Sequence, residues 1–176
     1  MYIPINNLLT YLLIMEKILL AIQALLKISV SQTWQPLEDI KKVIFWDPKI
    51  LPEDSLPALT IMPIWTEYVM RGSQYDEKTH QIEIKLIYNS KSFFSNNPDP
   101  EKIQLIKDAT QKAENTDINW KTLPYTIAWT IQTNTTLNGT CKLSHIENIS
   151  YWFNNDRWFP TYEITVTLIA IEIANR

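Results

Sequence analysis

The sequence predicts an α+β fold: an antiparallel or mixed sheet of about four to five strands packed against an N-terminal helix and one or two further helices. Three observations carry this. The first 30 residues hold apolar side chains at spacings of three and four. Two later stretches, 80–88 and 162–168, alternate apolar with polar as half-buried strands do. Between them, "NNPDPEKIQLIKDATQKAEN" opens with Asp99 as a cap, Pro100 at the first helical position and Glu101 in the first turn.

Composition sets the frame. A chain of 176 residues is expected to form one domain and to bury roughly 70% of the surface its unfolded form exposes. With 45% hydrophobic and 20% charged residues, a fold is expected throughout. Net charge of −3, with Lys41-Lys42 the only basic doublet, argues against a grip on a nucleic-acid backbone. A single cysteine, Cys141, leaves no intramolecular disulfide and no cysteine cluster for zinc, so a reducing compartment is the simplest expectation. The Asn-x-Ser/Thr matches at Asn134, Asn138 and Asn148 are of a kind frequent by chance, and glycosylation is not expected.

In the first helix, Asn6 or Asn7 is the expected cap, and Leu8, Leu12, Met15, Leu19, Ile22 and Leu26 form one stripe. Leu9, Leu13, Leu20, Ala24 and Ile28 form a second. A helix apolar nearly all round is covered on more than one side, either as a central core helix or in part by another subunit. Glu16 and Lys17 interrupt the run, so a membrane span is not expected.

"VIFW" (43–46) is a short strand, followed by a loop punctuated by Pro48, Pro52 and Pro57. "ALTIMPIW" is a strand in which Pro63 implies an edge position or a bulge. Residues 67–70 extend it, 71–79 form a turn around Arg71 and Gly72, and 80–88 return as the second arm of a hairpin. Ile82, Ile84, Leu86 and Tyr88 point inward. Gln81, Glu83 and Lys85 form a polar side, solvated by default.

"LPYTIAWTIQTN" supports either a strand, through Tyr125, Ile127, Trp129 and Ile131, or a short helix begun by Pro124. Asn138-Gly139 marks a turn. In the final "TYEITVTLIAIEI", Tyr162, Ile164, Val166 and Leu168 face one way and Glu163, Thr165 and Thr167 the other. Beyond Leu168 both faces turn apolar, which implies burial on both faces or a bulge near Ile169.

Signatures of phosphate binding, metalloproteolysis, serine hydrolysis and dithiol chemistry are missing from the chain. His80 and His145 are expected to be structural or solvated. Asp76, Glu77 and Glu83 offer carboxylates for acid/base work, although a solvated hairpin explains them as well. The densest feature is "YWFNNDRWFPTY". Its aromatics either fold back onto the sheet or form an interface, and Trp152, Phe153, Arg157, Trp158 and Phe159 are the interface candidates.

The order of parts, namely "MEKILLAIQALLKI", a proline-bearing loop into "LPALTIMPIW", the hairpin "RGSQYDEKTHQIEIKLIYN", a helical middle, "TLNGT" and "YEITVTLIAIE", resembles the tail-terminator and head-tail-joining (tail completion) family of tailed bacteriophages. The likeness covers roughly residues 15–173, with residues 1–14 readable as an extension, and it favours a helix within 124–134.

The resemblance implies a structural, non-enzymatic virion protein without a cofactor. It would form a homo-hexameric ring that ends the tail tube and joins it to the neck. Implied partners are further copies, the tail tube protein, the neck or connector protein, and the sheath protein if the tail is contractile. DNA would be met only in passage through the channel, and no membrane is involved. Assembly would take place in the host cytoplasm, and the final location would be the tail-neck junction of the virion. In such a ring Gln81, Glu83 and Lys85 would line the channel or touch a neighbouring subunit. A neck or head-completion protein, of connector or stopper type, is the sibling reading. A small-ligand or enzymatic domain using residues near His80 and Glu83 is the reading from another class.

Overall fold

The computed structural model describes residues 5–48, 50–70, 75–90, 99–117, 119–157 and 159–175. Helix α1 (Ile5–Val30) leads into β1 (Lys42–Phe45), a single 3-10 turn (Glu53–Ser55), β2 (Ala58–Met70) and β3 (Tyr75–Asn89). Helices α2 (Asp99–Ala113) and α3 (Ile127–Gln132) follow, then β4 (Leu143–Asn154) and β5 (Thr161–Asn175). The five strands form one mixed sheet in the order β1-β2-β3-β5-β4, in which only the β1–β2 pair is parallel. The fold is therefore α+β, as the sequence predicts.

One face of the sheet carries the main core. Ile18, Ile22 and Leu26 of α1 are fully buried against Leu59, Ile61, Ile82, Ile84, Leu86, Ile164, Val166 and Leu168. Among the described side chains of the second stripe, Leu20 is 47% and Ile28 55% exposed, so that part of it stays on the surface of the isolated subunit. Asn6 and Asn7 lie inside α1 and do not cap it, because the helix already runs from Ile5. It is also continuous through Met15, so residues 5–14 belong to the same element.

Pro63 sits where β1 has ended, beyond the pair Phe45↔Ile61, and the register of β2 against β3 shifts between Pro63 and Trp65. Both expectations for that proline hold, since the missing ladder donor falls where no strand lies alongside and where the ladder is already broken. The hairpin is longer than expected: β3 begins at Tyr75 and not at His80, pairing Asp76 with Met70. Strongly polar residues there read as a turn, but cross-strand pairing with both β2 and β5 holds them extended. Arg71 and Gly72, expected at the turn, lie outside the described residues.

The segment around Trp129 is a helix that starts three residues after Pro124, at Ile127. Thr126 caps it by accepting from the Trp129 N–H at 3.1 Å. A buried contact of 2.7 Å between the Ser29 and Thr130 hydroxyls ties α3 to the end of α1. The Asn138-Gly139 turn follows with φ of 47° at Leu137, 57° at Asn138 and 80° at Gly139. In the last strand the alternative of burial on both faces holds, with Leu168 and Ala170 fully buried and Ile169 8% exposed, and there is no bulge at Ile169. β5 pairs with β3 without interruption, and the irregularity lies in β4, where Glu147 is the extra residue between Ile146 and Asn148.

Candidate functional site

Alternation along β3 sorts its side chains. Lys78, His80, Ile82, Ile84, Leu86 and Tyr88 share the helix-bearing face, whereas Gln81, Glu83, Lys85 and Ile87 share the other. His80 and Glu83 are thus on opposite faces and do not meet in one pocket. His80 is 1% exposed, its Nδ1 3.0 Å from the Thr66 hydroxyl and its Nε2 3.4 Å from Glu172. His145 is exposed on β4.

The face away from the helices is less solvated than the sequence suggests. Its lower end is covered by the loops after β1 and before β5, which place Leu51, Leu56 and Phe159 over Ala58 and Ile87 in a second small core. Next to it lies a cluster of four charges, two of each sign. Lys85 Nζ donates to Asp47 Oδ2 at 2.7 Å and stands 3.7 Å from Glu163 Oε2. Arg157 donates through Nε to Glu163, through Nη2 to Asp47, and through Nη1 to the Pro48 carbonyl at 2.8 Å. Glu163, fully buried, also accepts from the Thr161 hydroxyl at 2.9 Å and from Asn154 at 3.1 Å.

Burial would push the Asp47 carboxyl up, but hydrogen bonds from Lys85 and Arg157 outweigh it and hold the group below its ordinary value. Burial likewise acts against the Arg157 cation, and its bonds to Glu163 and Asp47 raise it above its usual range. Every member of this cluster is paired with an opposite charge, so the arrangement fixes loops to the sheet, and Glu163 Oε2, buried without a hydrogen bond, is held only by the Lys85 charge at 3.7 Å.

The expected interface residues divide accordingly. Trp152 is 53% and Phe153 45% exposed, on opposite faces of β4. Trp152 lies over Lys85, with Nζ 5.9 Å from the ring centroid, and Phe153 stacks on Tyr162 with centroids 5.0 Å apart. Arg157 and Phe159 are not surface anchors, since one is locked in the ion cluster and the other is 8% exposed in the second core. Trp158 lies outside the described residues. Of the polar trio, Gln81 donates to Glu147 at 2.9 Å, Glu83 is half-buried, and Lys85 is 9% exposed inside the cluster.

Two surface features escape a reading of the sequence. The first is β4 itself as an outermost strand, with Tyr151, Trp152 and Phe153 all large and exposed. Tyr151 is steadied by donating its hydroxyl to Glu114 beyond the end of α2. The second is a largely apolar groove of about 350 Å³ at the opposite edge, lined by Met15, Leu19, Leu20, Phe45, Trp46 and Pro63, with Glu16 as its charged member. Trp46 holds φ of 66°, uncommon for a bulky residue, which turns the chain out of β1 and leaves the ring 62% exposed. Met15 and Pro63, 48 apart in sequence, meet there because β1 docks parallel to β2 beside α1. Helical periodicity shows Leu20 as one more apolar position, not as a groove wall.

The fold and surface define an α+β protein with a helix layer on one sheet face and a strand bearing three exposed aromatics at one sheet edge. No family model matches the chain, and no curated relative matches it.

Proposed function

We propose that the protein is a structural subunit of a tailed-bacteriophage virion that assembles with copies of itself into a hexameric ring, ends the tail tube and joins it to the neck. The observation that supports this best is the outermost strand β4. Tyr151, Trp152 and Phe153, 40%, 53% and 45% exposed, stand on a strand paired to β5 without interruption from Asn148 to Asn154 and held by the buried charges beneath it. Large aromatics on a rigid support are the residue type that anchors protein interfaces, because they bury much area at low entropic cost.

The chemistry of the site supports the same reading. The ion cluster is neutral and internally paired, and His80 is separated from Glu83 by the sheet. A subunit whose work is to bind others needs interface complementarity and closed symmetry, which limits growth to one ring. In this reading the partners are the tail tube protein, the neck or connector protein and, in a contractile tail, the sheath, and DNA passes without being gripped.

The test is electron microscopy of the purified protein alone and mixed with tail tube protein. Six-fold rings that sit on tube ends and stop tube growth are the expected result. Rings that bind the connector and ignore tube ends would assign the protein to the neck instead. A monomer that ignores both partners would remove the reading.

A further inference from the structure

We propose that neighbouring copies join edge to edge, β4 of one copy pairing with the open stretch of β2 of the next, with the β4 aromatics seated in the groove beside α1. This deepens the ring reading and rests on it for closure at six.

The two edges of the sheet differ in how they are guarded. Proteins protect exposed edge strands by keeping them short or by placing lysine, proline or a covering loop there. β1 is four residues long and tied to α1 by Gln23, which donates to the Val43 carbonyl at 3.1 Å. β4 is 12 residues long, without lysine, arginine or proline, and its only formal charge is Glu147 at the bulge. The loop before it covers only its start, where the Thr135 carbonyl accepts from the Ser144 N–H at 2.5 Å. Among the described residues no strand flanks the outer side of β4 from Ile146 to Phe153, while the Asn154 carbonyl accepts from the Thr161 hydroxyl at 3.5 Å.

The matching edge is on the same chain. β1 stops at Phe45 opposite Ile61, so among the described residues no strand flanks β2 from Met62 to Met70. Polarity fits without a flip. β4 runs antiparallel to β5, β5 to β3 and β3 to β2, so β4 is antiparallel to β2. A copy added in the plane of the sheet therefore continues an antiparallel ladder and keeps both helix layers on the same side.

Side chains fit as well as strands. Tyr151 and Phe153 pair with Ile164 and Tyr162, which places them on the helix-bearing side. The apolar groove lies on that side, against Phe45, Ile61 and Pro63, where β1 ends and β2 becomes open. An aromatic knob at one edge and an apolar recess at the other, on the same face, make a heterologous contact that repeats from copy to copy.

The experiment uses two variants of the full chain. Tyr151→Lys with Phe153→Lys puts charge on the knob; Leu20→Lys with Ile64→Lys puts charge on the groove and the open edge, at positions 47% and 42% exposed. Masses are read by sedimentation, with folding checked by circular dichroism. Expected is an oligomeric parent, a monomer for each variant alone, and a two-subunit species when the variants are mixed, because one good knob then meets one good groove. If the knob variant does not fold, Ser150→Lys on the exposed side of β4 replaces it, with the same expectation. Four outcomes overturn the proposal. An oligomer unaffected by either variant removes edge pairing but leaves the ring. A groove variant that still dimerises shows β4 pairing with β4 across a two-fold axis. Two folded monomers that do not combine contradict the knob-in-groove contact. A parent that stays monomeric with and without tail tube protein removes both this contact and the ring.

Discussion

Asp47, in the loop after β1, and Lys85, on the central strand β3, are joined by a hydrogen bond of 2.7 Å on the face of the sheet opposite the helices. This contact and those of Arg157 keep the Asp47 carboxyl below its ordinary value of 3.8 despite partial burial. A carboxyl with a depressed folded-state pKa stabilises the fold above its unfolded value and loses that contribution as pH falls through the folded value. Denaturant unfolding from pH 6 down to about pH 2 should therefore show a steep loss below about pH 4. Asp47→Asn should start less stable and show a shallower loss; an unchanged acid limb would mean that Asp47 does not contribute.

Arg157 and Phe159 are held inside, so their replacement should act on folding. Arg157→Met leaves Glu163 and Asp47 short of a cation and should cost about 2–4 kcal/mol. Phe159→Ala empties the small core over Ile87 and should cost about 3 kcal/mol. Trp152→Ser, at a 53% exposed position, should cost under about 1 kcal/mol of subunit stability. Urea titration of the three variants gives the ranking.

At the link between α1 and α3, the Ser29 and Thr130 hydroxyls are 2.7 Å apart, and the Thr130 hydroxyl also donates to the Thr126 carbonyl at 2.7 Å. Thr130→Val should be the costlier change, at about 2 kcal/mol, since it leaves Ser29 buried without this partner. Ser29→Ala should cost about 1 kcal/mol. A double-mutant cycle should show clear coupling, and additivity would contradict the contact.

Gly139 holds φ of 80°, and a Cβ there would meet no atom within 4 Å. Gly139→Ala should therefore destabilise by strain alone, about 1 kcal/mol, with no loss of packing. Thermal unfolding reads this directly.

Burial pushes the Cys141 thiol up to about 11, partly offset by a backbone hydrogen bond involving Leu143. At neutral pH the native protein should react slowly with a thiol reagent and rapidly once unfolded. Fast labelling of the folded chain would contradict the burial of this residue.

The elements were legible in the sequence wherever one face of a segment is dry and the other wet. The alternation at Ile82, Ile84 and Leu86, the helical spacing of Ile103, Ile106, Ala109 and Ala113 and the interruption at Pro63 all record local rules, and each corresponds to the element that formed, although Asp99, expected as a cap, is already the first residue of its helix. What the residues beside them become depends on distant segments. Lys85 reads as solvated until the loop carrying Asp47 and the turn carrying Arg157 close over it. Phe159 reads as a surface aromatic until Leu51 and Leu56 arrive beneath the same loops. Likewise the apolar run beyond Leu168 left burial on both faces or a bulge open; both faces are buried at Leu168, Ile169 and Ala170, and the irregularity lies in the neighbouring strand at Glu147. The candidate surface was half legible. Periodicity and composition single out Trp152 and Phe153, but strand order makes β4 an edge and assembles the groove of Met15, Phe45 and Pro63.

The most direct measurement is the mass of the purified chain in solution across a concentration series, by sedimentation equilibrium. The expected species has six subunits and dissociates to monomer on dilution or on replacing Tyr151 and Phe153 with lysine. A single-subunit mass of 20.7 kDa at every concentration, unchanged by tail tube protein, would contradict it.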